Sequence, residues 1–203
     1  MAKIRLTKGE LKRQRDALRQ YERYLPTLQL KKQQLQIEIL RQTTLLEDRR
    51  AGEKSKRKTI DSWIGLLTDP QVDIRQWVKA QKVVSSSRNI AGVDLPVFKS
   101  AEFKSADYDF FVYPLWADSA IEELRMVVSL REEIKIVEEW IRILRHELRI
   151  TTQRVNLFEK LKIPEAQETI RLIKIYIGDQ MTNAVGRSKM AKRKIEEAVL
   201  SEA

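Results

Sequence analysis

The chain has 203 residues, of which 39 are lysine or arginine and 29 are aspartate or glutamate, which gives a net charge of +10. Charged residues make up 33% of the sequence, and only six glycines and five prolines are present, a balance that favours long helices over sheets. The absence of cysteine excludes disulfides and thiolate metal sites. No apolar run is long enough to predict a membrane span or a signal peptide, so we expect a cytoplasmic protein.

The first predicted helix begins at a capping box formed by Thr7 and Glu10, whose side chains each satisfy a free backbone N–H of the first turn. A seven-residue repeat follows, and a repeat of this length imposes a left-handed supercoil on a partner helix. The register continues to Leu46, Ile60 and Leu67 across a basic stretch at residues 49–58. The predicted seam residues of this helix are Leu11, Leu18, Leu25, Leu28, Leu35 and Ile39.

Pro26 lies inside this helix, where a proline removes one backbone hydrogen bond and clashes with the carbonyl four residues earlier, at a cost of roughly 3 kcal/mol. Each buried seam leucine contributes roughly 1.5–3 kcal/mol, so Leu25 and Leu28 can offset that cost. We therefore expect the helix to continue through Pro26 with a local bend.

The middle of the chain differs in composition from the helices on either side. Asp69 and Pro70 are typical of an N-cap and a first helical position, and they predict a short helix as far as about Lys82. The runs KVVSSSRNIAGVDLPVF (82–98) and DYDFFVYP (107–114) predict a small β-hairpin between turn-forming residues. Pro96 and Pro114 indicate edge strands, because proline has no N–H to donate to a neighbouring strand.

A second long helix is predicted from about Ser119, which forms a capping box with Glu122. Pro164 interrupts this helix, and the apolar stripe resumes one residue out of phase at Ile170, Ile173 and Ile177. Beyond Gly178 the stripe is reduced to Ala184, Ala191 and Ala198, small residues that would let two helices approach closely. The predicted seam residues before Pro164 include Ile134, Ile141, Leu144, Leu148, Val155 and Phe158.

These patterns predict a mainly α fold in which the terminal segments form a long antiparallel two-helix coiled coil. The segments are 1–67 (N-terminal helix), 68–117 (short helix and β-hairpin element) and 118–203 (C-terminal helix). Pairing residue 66 with residue 117 would place Pro26 opposite the region of Pro164. The same pairing would set basic residues 49–58 against a stretch that contains Glu132, Glu133, Glu138 and Glu139.

The sequence offers no catalytic, cofactor-binding or metal-binding pattern. It has no phosphate-binding loop, no HExxH and no GxSxG. The single histidine, His146, falls on the outer face of the second helix, where a solvated role is the usual one. Trp63 and Trp140 lie on or beside the seam, and Trp77 and Trp116 are expected to close the core of the β element.

The basic balance leaves three classes of function open. The cluster RSKMAKRK (187–194) could contact phosphate, but no aromatic residues are interleaved with it, which disfavours single-stranded nucleic acid. A coiled-coil adaptor with a β tip and a basic nucleic-acid-associated coil therefore remain as alternatives to a subunit of a larger assembly.

Three motifs together carry a resemblance to a known family. RLTKGELKRQRDAL with YLPTLQLKKQQLQ, SRNIAGVDLPVF, and RVNLFEKLKIPEAQETIRLI occur in this order along nearly the whole chain. In this respect the chain resembles the family of D subunits of V-type (V/A-type) ATPases, which form the central rotor shaft. The resemblance implies a non-catalytic subunit, without cofactor, that couples ATP hydrolysis or synthesis to rotation of a membrane ring and to proton or sodium-ion transport.

The resemblance also implies partners: the catalytic and nucleotide-binding subunits of the ATPase head, a small companion rotor subunit, and a funnel-shaped subunit on the membrane ring. Neither nucleic acid nor direct membrane insertion is expected. Pro26 and Pro164 would shape a bend in the shaft. The head would be contacted by Arg187, Lys189, Lys192, Arg193 and Lys194. The companion subunit would be contacted by Ile90, Val93, Leu95, Val97 and Phe98.

Overall fold

The computed structural model describes residues 5–68, 72–109 and 113–202. Helix α1 spans Lys8–Asp61, a 3-10 helix follows at Ile64–Thr68, and the short helix α2 spans Arg75–Val78. Strands β1 (Ala80–Ile90) and β2 (Val93–Phe103) form an antiparallel hairpin. Helix α3 (Trp116–Leu157), a π-helical turn (Phe158–Lys162) and helix α4 (Ile163–Glu202) follow. The predicted mainly α fold class, with two long helical segments before and after a hairpin, is confirmed.

The chain forms two compact units. Unit 1 comprises Met1–Leu30 with Thr151–Ala203, and unit 2 comprises Lys31–Ile150. Each unit contains a stretch of α1 and a stretch of the later helices, and the hairpin belongs to unit 2.

Helix α1 begins at Lys8 with the Thr7 half of the predicted capping box, while the Thr7 N–H donates to the carbonyl of Arg5 and not to Glu10; the helix continues through its proline. The Glu10 backbone N–H donates to Oγ1 of Thr7 over 3.2 Å, while the Glu10 carboxylate accepts from Nε2 of Gln14 over 2.7 Å. Pro26 lies inside the helix, and the neighbouring Thr27 hydroxyl donates to the carbonyl of Tyr24 over 2.7 Å. A side chain therefore supplies a donor to the backbone close to where the proline removes one.

In unit 2, α1 and α3 run antiparallel, as three ion pairs between them show. Lys31 pairs with Glu147 at 2.8 Å, and Arg49 pairs with Glu133 at 3.1 Å. Further along, Nζ of Lys56 lies 3.6 Å from Glu123. The predicted register would have placed Lys31 opposite residue 152 and Lys56 opposite residue 127, so it is wrong by a few residues. The predicted opposition of the basic stretch to Glu133 and Glu138 is confirmed, because Arg50 also pairs with Glu138, at 2.7 Å.

The hairpin turns tightly at Ala91 and Gly92, which have φ values of 52° and 77°. Two successive residues with positive φ match the twist of the flanking strands, and glycine adopts this conformation without strain. The Asn89 side chain donates to Asp94 over 2.7 Å and accepts from the Gly92 N–H over 3.1 Å, which fixes the turn. Pro96 lies in β2 opposite Ser87 and is an edge-strand residue as predicted, since the sheet has two strands.

One face of the hairpin packs on the helices of unit 2. Leu95 of β2, Leu35 of α1 and Leu144 of α3 have no exposed surface, and they cluster with Trp140 of α3. The Trp140 indole N–H donates to the carbonyl of Pro96. This core therefore consists of three layers, α1, α3 and the hairpin, and the sequence patterns had predicted only the pairing of the helices.

The short elements of unit 2 differ from their predictions. Helix α2 spans only Arg75–Val78 and β1 already begins at Ala80, so the predicted extent of the short helix to Lys82 is wrong. The cap predicted for that helix, Asp69 and Pro70, lies outside the described residues. Residues 107–109, predicted as strand, are irregular, and 110–112 lie outside the described residues. Here aromatic packing replaces strand pairing: the ring centroids of Trp77 and Tyr108 lie 5.1 Å apart, and those of Tyr108 and Tyr113 4.9 Å apart.

Helix α3 begins at Trp116, before the predicted cap at Ser119. The Ala117 N–H donates to the carbonyl of Pro114 over 3.0 Å, and Ala117 and Ala120 are buried against the aromatic residues. In the first turn, Asp118 accepts from the Tyr108 hydroxyl. Burial and this hydrogen bond raise the pKa of Tyr108 to about 12, so its hydroxyl remains a donor at neutral pH.

In unit 1, the π-helical turn explains the phase shift in the apolar stripe. Val155 is buried before the turn, and the buried residues after it include Ala166, Ile170 and Ile173, one position later than a regular stripe would give. A π turn holds one extra residue, so the predicted shift is confirmed. The change at Pro164 affects the seam and not the continuity of the helix, because helical structure continues from the turn into α4.

The two helical prolines do not lie at the same height. The rings of Tyr21 and Phe158 meet with centroids 5.3 Å apart. In antiparallel helices, Pro26 and Pro164 extend in opposite axial directions from that contact, and their separation is about 16 Å at the helical rise. The predicted opposition of the two prolines is therefore wrong.

Residues 178–197, which we call the terminal segment, are exposed along their whole length. The prediction that small residues of this segment let a second helix of the chain approach closely is wrong for Ala184 and Ala191, because both are exposed. The side chain of Ala198 lies outside the described part. Counting from the Tyr21–Phe158 contact, α1 begins opposite about residue 171. No described segment of this chain is left to pair with the terminal segment.

Candidate functional site

The predicted seam residues provide the core rather than a surface. Leu35, Ile134, Ile141, Leu144 and Val155 are buried. The others are half-buried: Leu11, Leu18, Leu25, Leu28, Ile39, Leu148 and Phe158. Among the described residues, no group of three or more histidine, aspartate or glutamate side chains is arranged to hold a metal ion.

The hairpin residues predicted to contact a companion subunit mostly face inward. Leu95 has no exposed surface, and Ile90, Val93 and Val97 pack against the helical core. Leu95 is therefore not available to a partner, whereas Ile90, Val93 and Val97 are half-buried. Ile90, Val97 and Phe98 line a surface groove, together with Leu45 of α1.

The terminal segment presents all five predicted basic residues to solvent: Arg187, Lys189, Lys192, Arg193 and Lys194. Lys192 lies 3.8 Å from Glu196 and Arg193 lies 2.8 Å from Glu197, one helical turn away. Exposed pairs of this kind contribute little to stability, so they leave the cations available to an acidic partner.

Apolar side chains are interleaved with those charges. Met181, Val185, Met190 and Ile195 are each between 53% and 65% exposed. A lone helix with this much exposed apolar surface suits a protein environment better than water. The terminal segment therefore combines the two features expected where a helix is surrounded by other subunits, apolar contact area and charge.

The positive charge of the chain is concentrated in one unit. Unit 1 contains eighteen lysines and arginines and ten acidic residues, whereas unit 2 contains twenty-one and nineteen. Unit 1 therefore has a net charge of +8 and unit 2 only +2. Most of the excess of unit 1 lies in residues 1–30, which contain eight cations and three acidic residues, whereas the terminal segment contains five cations and three acidic residues.

A second apolar surface lies where unit 2 changes from α1 to α2. Leu115 is 95% exposed, and Ile64 and Leu66 are about half exposed. Ile64 also lines a concavity of about 1090 Å³, together with apolar residues that include Leu67, Val72, Ile74, Val78 and Leu124. Exposed apolar surface of this kind is typical of contacts with other molecules. No helix in the described ranges is both long and apolar enough to cross a membrane.

Comparison with known proteins agrees with the resemblance noted from the motifs. A sequence model of the family described as the ATP synthase D subunit matches residues 10–193. The D subunit of the V-type ATP synthase of Borreliella burgdorferi is 44% identical over 192 residues, which is 95% of each chain. The proteins of the same name from Chlamydia caviae and Chlamydia muridarum are 34% and 32% identical over 198 residues, covering 97% of this chain and at least 95% of theirs.

Proposed function

The chain belongs to the ATP synthase D-subunit family, and we propose that it is the central stalk subunit of a V-type rotary ATPase or ATP synthase. The observation that carries this proposal is the 44% identity to the D subunit of a V-type ATP synthase, which extends over 95% of both chains. The adaptor alternative is not favoured, since similarity over the whole length leaves no part of the chain for a different role.

In the proposed role, the chain turns inside the catalytic head and transmits torque without catalysing a reaction itself. Its orientation biases the nucleotide-binding and catalytic subunits only if its contacts differ from one angle to the next. The exposed basic and apolar residues of the terminal segment could provide such contacts, because they are accessible to the subunits around this helix. We assign Arg187, Lys189, Lys192, Arg193 and Lys194 to this contact with the head.

The other proposed partners belong to the part of the assembly nearer the membrane. The apolar surface around Leu115, Ile64 and Leu66 supports docking on a funnel-shaped subunit of the membrane ring, and Phe98 supports a contact with a small companion rotor subunit. The chain would then be cytoplasmic and peripheral to the membrane through its complex.

The decisive experiment is purification of the complex from native membranes with a tagged chain, followed by subunit stoichiometry and an ATPase assay. We expect one copy of this chain per ring of catalytic and nucleotide-binding subunits. Recovery of the chain alone, or with proteins that bind no nucleotide, would overturn the proposal.

Pro26 and Pro164 are proposed to shape the coil of unit 1 at two levels, since each removes a backbone hydrogen-bond donor from a continuous helix. The double variant P26A/P164A should retain ATP hydrolysis but pump fewer ions per ATP, measured as ion uptake by reconstituted vesicles against phosphate release. The conservative variant T27S serves as the control. Unchanged ion-to-ATP stoichiometry in P26A/P164A would show that the prolines do not contribute to coupling.

A further inference from the structure

The terminal segment begins where the packing that supports α4 ends. Ile173 has no exposed surface and Ile177 is half-buried, whereas every residue of the terminal segment is exposed. Its side-chain hydrogen bonds and ion pairs among the described residues all join positions four apart on the same helix, as Arg193 and Glu197 do. Contacts within this one helix therefore have to hold about 30 Å of helix in shape.

The sequence of the segment is a weak helix former. Gly178 is its first residue and Gly186 lies near its middle, and a glycine in place of alanine lowers the helix–coil equilibrium constant about fivefold. A Cβ atom at either position would meet nothing within 4 Å, so no packing requires these glycines. The Thr182 hydroxyl donates to the carbonyl of Gly178, a bond that slightly destabilises a helix. Most of the stability of a protein helix comes from tertiary packing, which the described residues do not supply here.

Charge within the segment adds little support. Lys192 lies 3.8 Å from Glu196 and Arg193 lies 2.8 Å from Glu197, so both attractive pairs are at the end of the segment. Lys189 and Arg193 are also four positions apart, and like charges at this spacing oppose helix formation. Carboxylates of a partner would remove this repulsion and would thereby favour the helical form.

The apolar side chains of the segment lie on more than one side of the helix. At about 100° per residue, Met181, Val185 and Ile195 fall within about 80° of one another, and Met190 falls on the opposite side. All four are more than half exposed. A partner along one side would leave part of this apolar surface in water, so the segment suits a partner that encloses it.

We propose that the terminal segment is in equilibrium between helix and coil in the free chain, and that it becomes fully helical only when the catalytic head encloses it. The equilibrium follows from the segment itself, whereas the choice of the head as the enclosing partner rests on the proposed function. A segment that folds on binding uses part of the binding free energy for its own ordering. The free chain therefore carries a protease-sensitive end that assembly protects.

Limited trypsin digestion of the free full-length chain tests the equilibrium, with the fragments identified by mass spectrometry. Trypsin cuts after lysine and arginine, and its rate follows the population of the locally unfolded form. We expect cuts within 187–194 at least about tenfold faster than cuts after Arg131 and Arg149, which are likewise exposed but lie in the packed helix α3. Equal rates at the two sets of sites would overturn the proposal.

Replacement of the two glycines tests the cause of the equilibrium. The variant G178A/G186A raises helix propensity without a clash, so it should slow cleavage within 187–194 by about tenfold or more. The matched control is G52A, because Gly52 is likewise an exposed helical glycine with open space at its Cβ position but belongs to α1 in unit 2. G52A should leave cleavage within 187–194 unchanged. The same rate in both variants would contradict a helix–coil equilibrium in the segment.

Affinity for the reconstituted catalytic subunits tests folding on assembly. G178A/G186A should bind them more tightly than the wild-type chain or G52A, by about fivefold or more, because less of the binding free energy is used to order the helix. A head that merely shields an already rigid helix from trypsin predicts no such gain, so equal affinity of the three chains would overturn folding on assembly. Failure of all three chains to bind, with the digestion result of the free chain unchanged, would instead overturn the proposed function.

Discussion

At the scale of single residues, Trp140 connects two secondary-structure elements that are far apart in sequence. Its ring packs with Leu35, Leu95 and Leu144, none of which has exposed surface, and its indole N–H donates to the carbonyl of Pro96. Pro96 lacks an N–H of its own but keeps a carbonyl that must be satisfied when covered. Trp140 therefore holds β2 against α3 through apolar packing and one hydrogen bond.

The variant W140F should lower the free energy of unfolding by about 1–3 kcal/mol, because the carbonyl of Pro96 loses its donor while most of the apolar contact remains. Equilibrium urea denaturation followed by circular dichroism measures the change. W63F is the control, since Trp63 is only half-buried and lies in a different cluster. An equal loss in both variants would mean that ring size, and not the bond to Pro96, determines stability.

The sequence predicted Trp140 as a packing residue but could not predict what it packs against. Period-seven spacing identifies the face of a helix that is buried, and Leu35, Ile141 and Leu144 were all found that way. It contains no information about a third layer, because the hairpin residues Val93, Leu95 and Val97 alternate in the same manner whether they cover a helix or a partner subunit. For this reason the hairpin was predicted, but the burial of Leu95 against the two helices was not.

At the scale of elements, the π-helical turn keeps the apolar stripe in register with its partner across Pro164. The seven-residue repeat that includes Val155 and Phe158 would continue at positions 165, 169 and 172, and one extra residue at 158–162 moves the stripe to Ala166, Ile170 and Ile173. The sequence displayed this element as a one-residue slip in the apolar pattern. It could not show whether the helix breaks or continues there, since a proline is compatible with both.

Deletion of Lys160, an exposed residue of the turn, removes the one residue that the π turn absorbs, so it should convert the turn to regular helix and leave the buried residues of α4 in the core of unit 1. We expect the midpoint of thermal unfolding, followed by circular dichroism at 222 nm, to change little. Deletion of Gln167, an exposed residue in the regular part of α4, should instead rotate Ile170 and Ile173 by about 100° and lower the midpoint substantially. If both deletions unfold alike, the turn does not set the register of α4.

At the scale of the whole molecule, the excess positive charge is unevenly distributed along the chain. Net charge alone favours solubility and nonspecific attraction to polyanions, and it says nothing about position. Here unit 1 carries +8 of the total +10: residues 1–30 contain eight cations and three acidic residues, and the terminal segment contains five cations and three acidic residues. The five cations of the terminal segment are all exposed, so an acidic partner can contact them there.

The variant R187Q/K189Q/K192Q/R193Q/K194Q should therefore bind the catalytic head more weakly than the wild-type chain, by about tenfold or more at low ionic strength. Exposed charge pairs contribute only tenths of a kcal/mol to about 1 kcal/mol each, but five of them act together on one partner. The difference should diminish as salt is raised, because screening weakens the wild-type contacts first. Binding is measured by titration of the reconstituted catalytic subunits with the labelled chain.

A second variant, K54Q/K58Q/R131Q/R145Q/R149Q, removes the same five charges from exposed positions of unit 2. Both variants have the same net charge, so any difference in affinity reports the position of the cations and not their number. Equal weakening would assign the attraction to the overall charge of the chain. Unchanged affinity in the first variant would leave the apolar residues Met181, Val185, Met190 and Ile195 as the contact, because they are the other exposed groups of that helix.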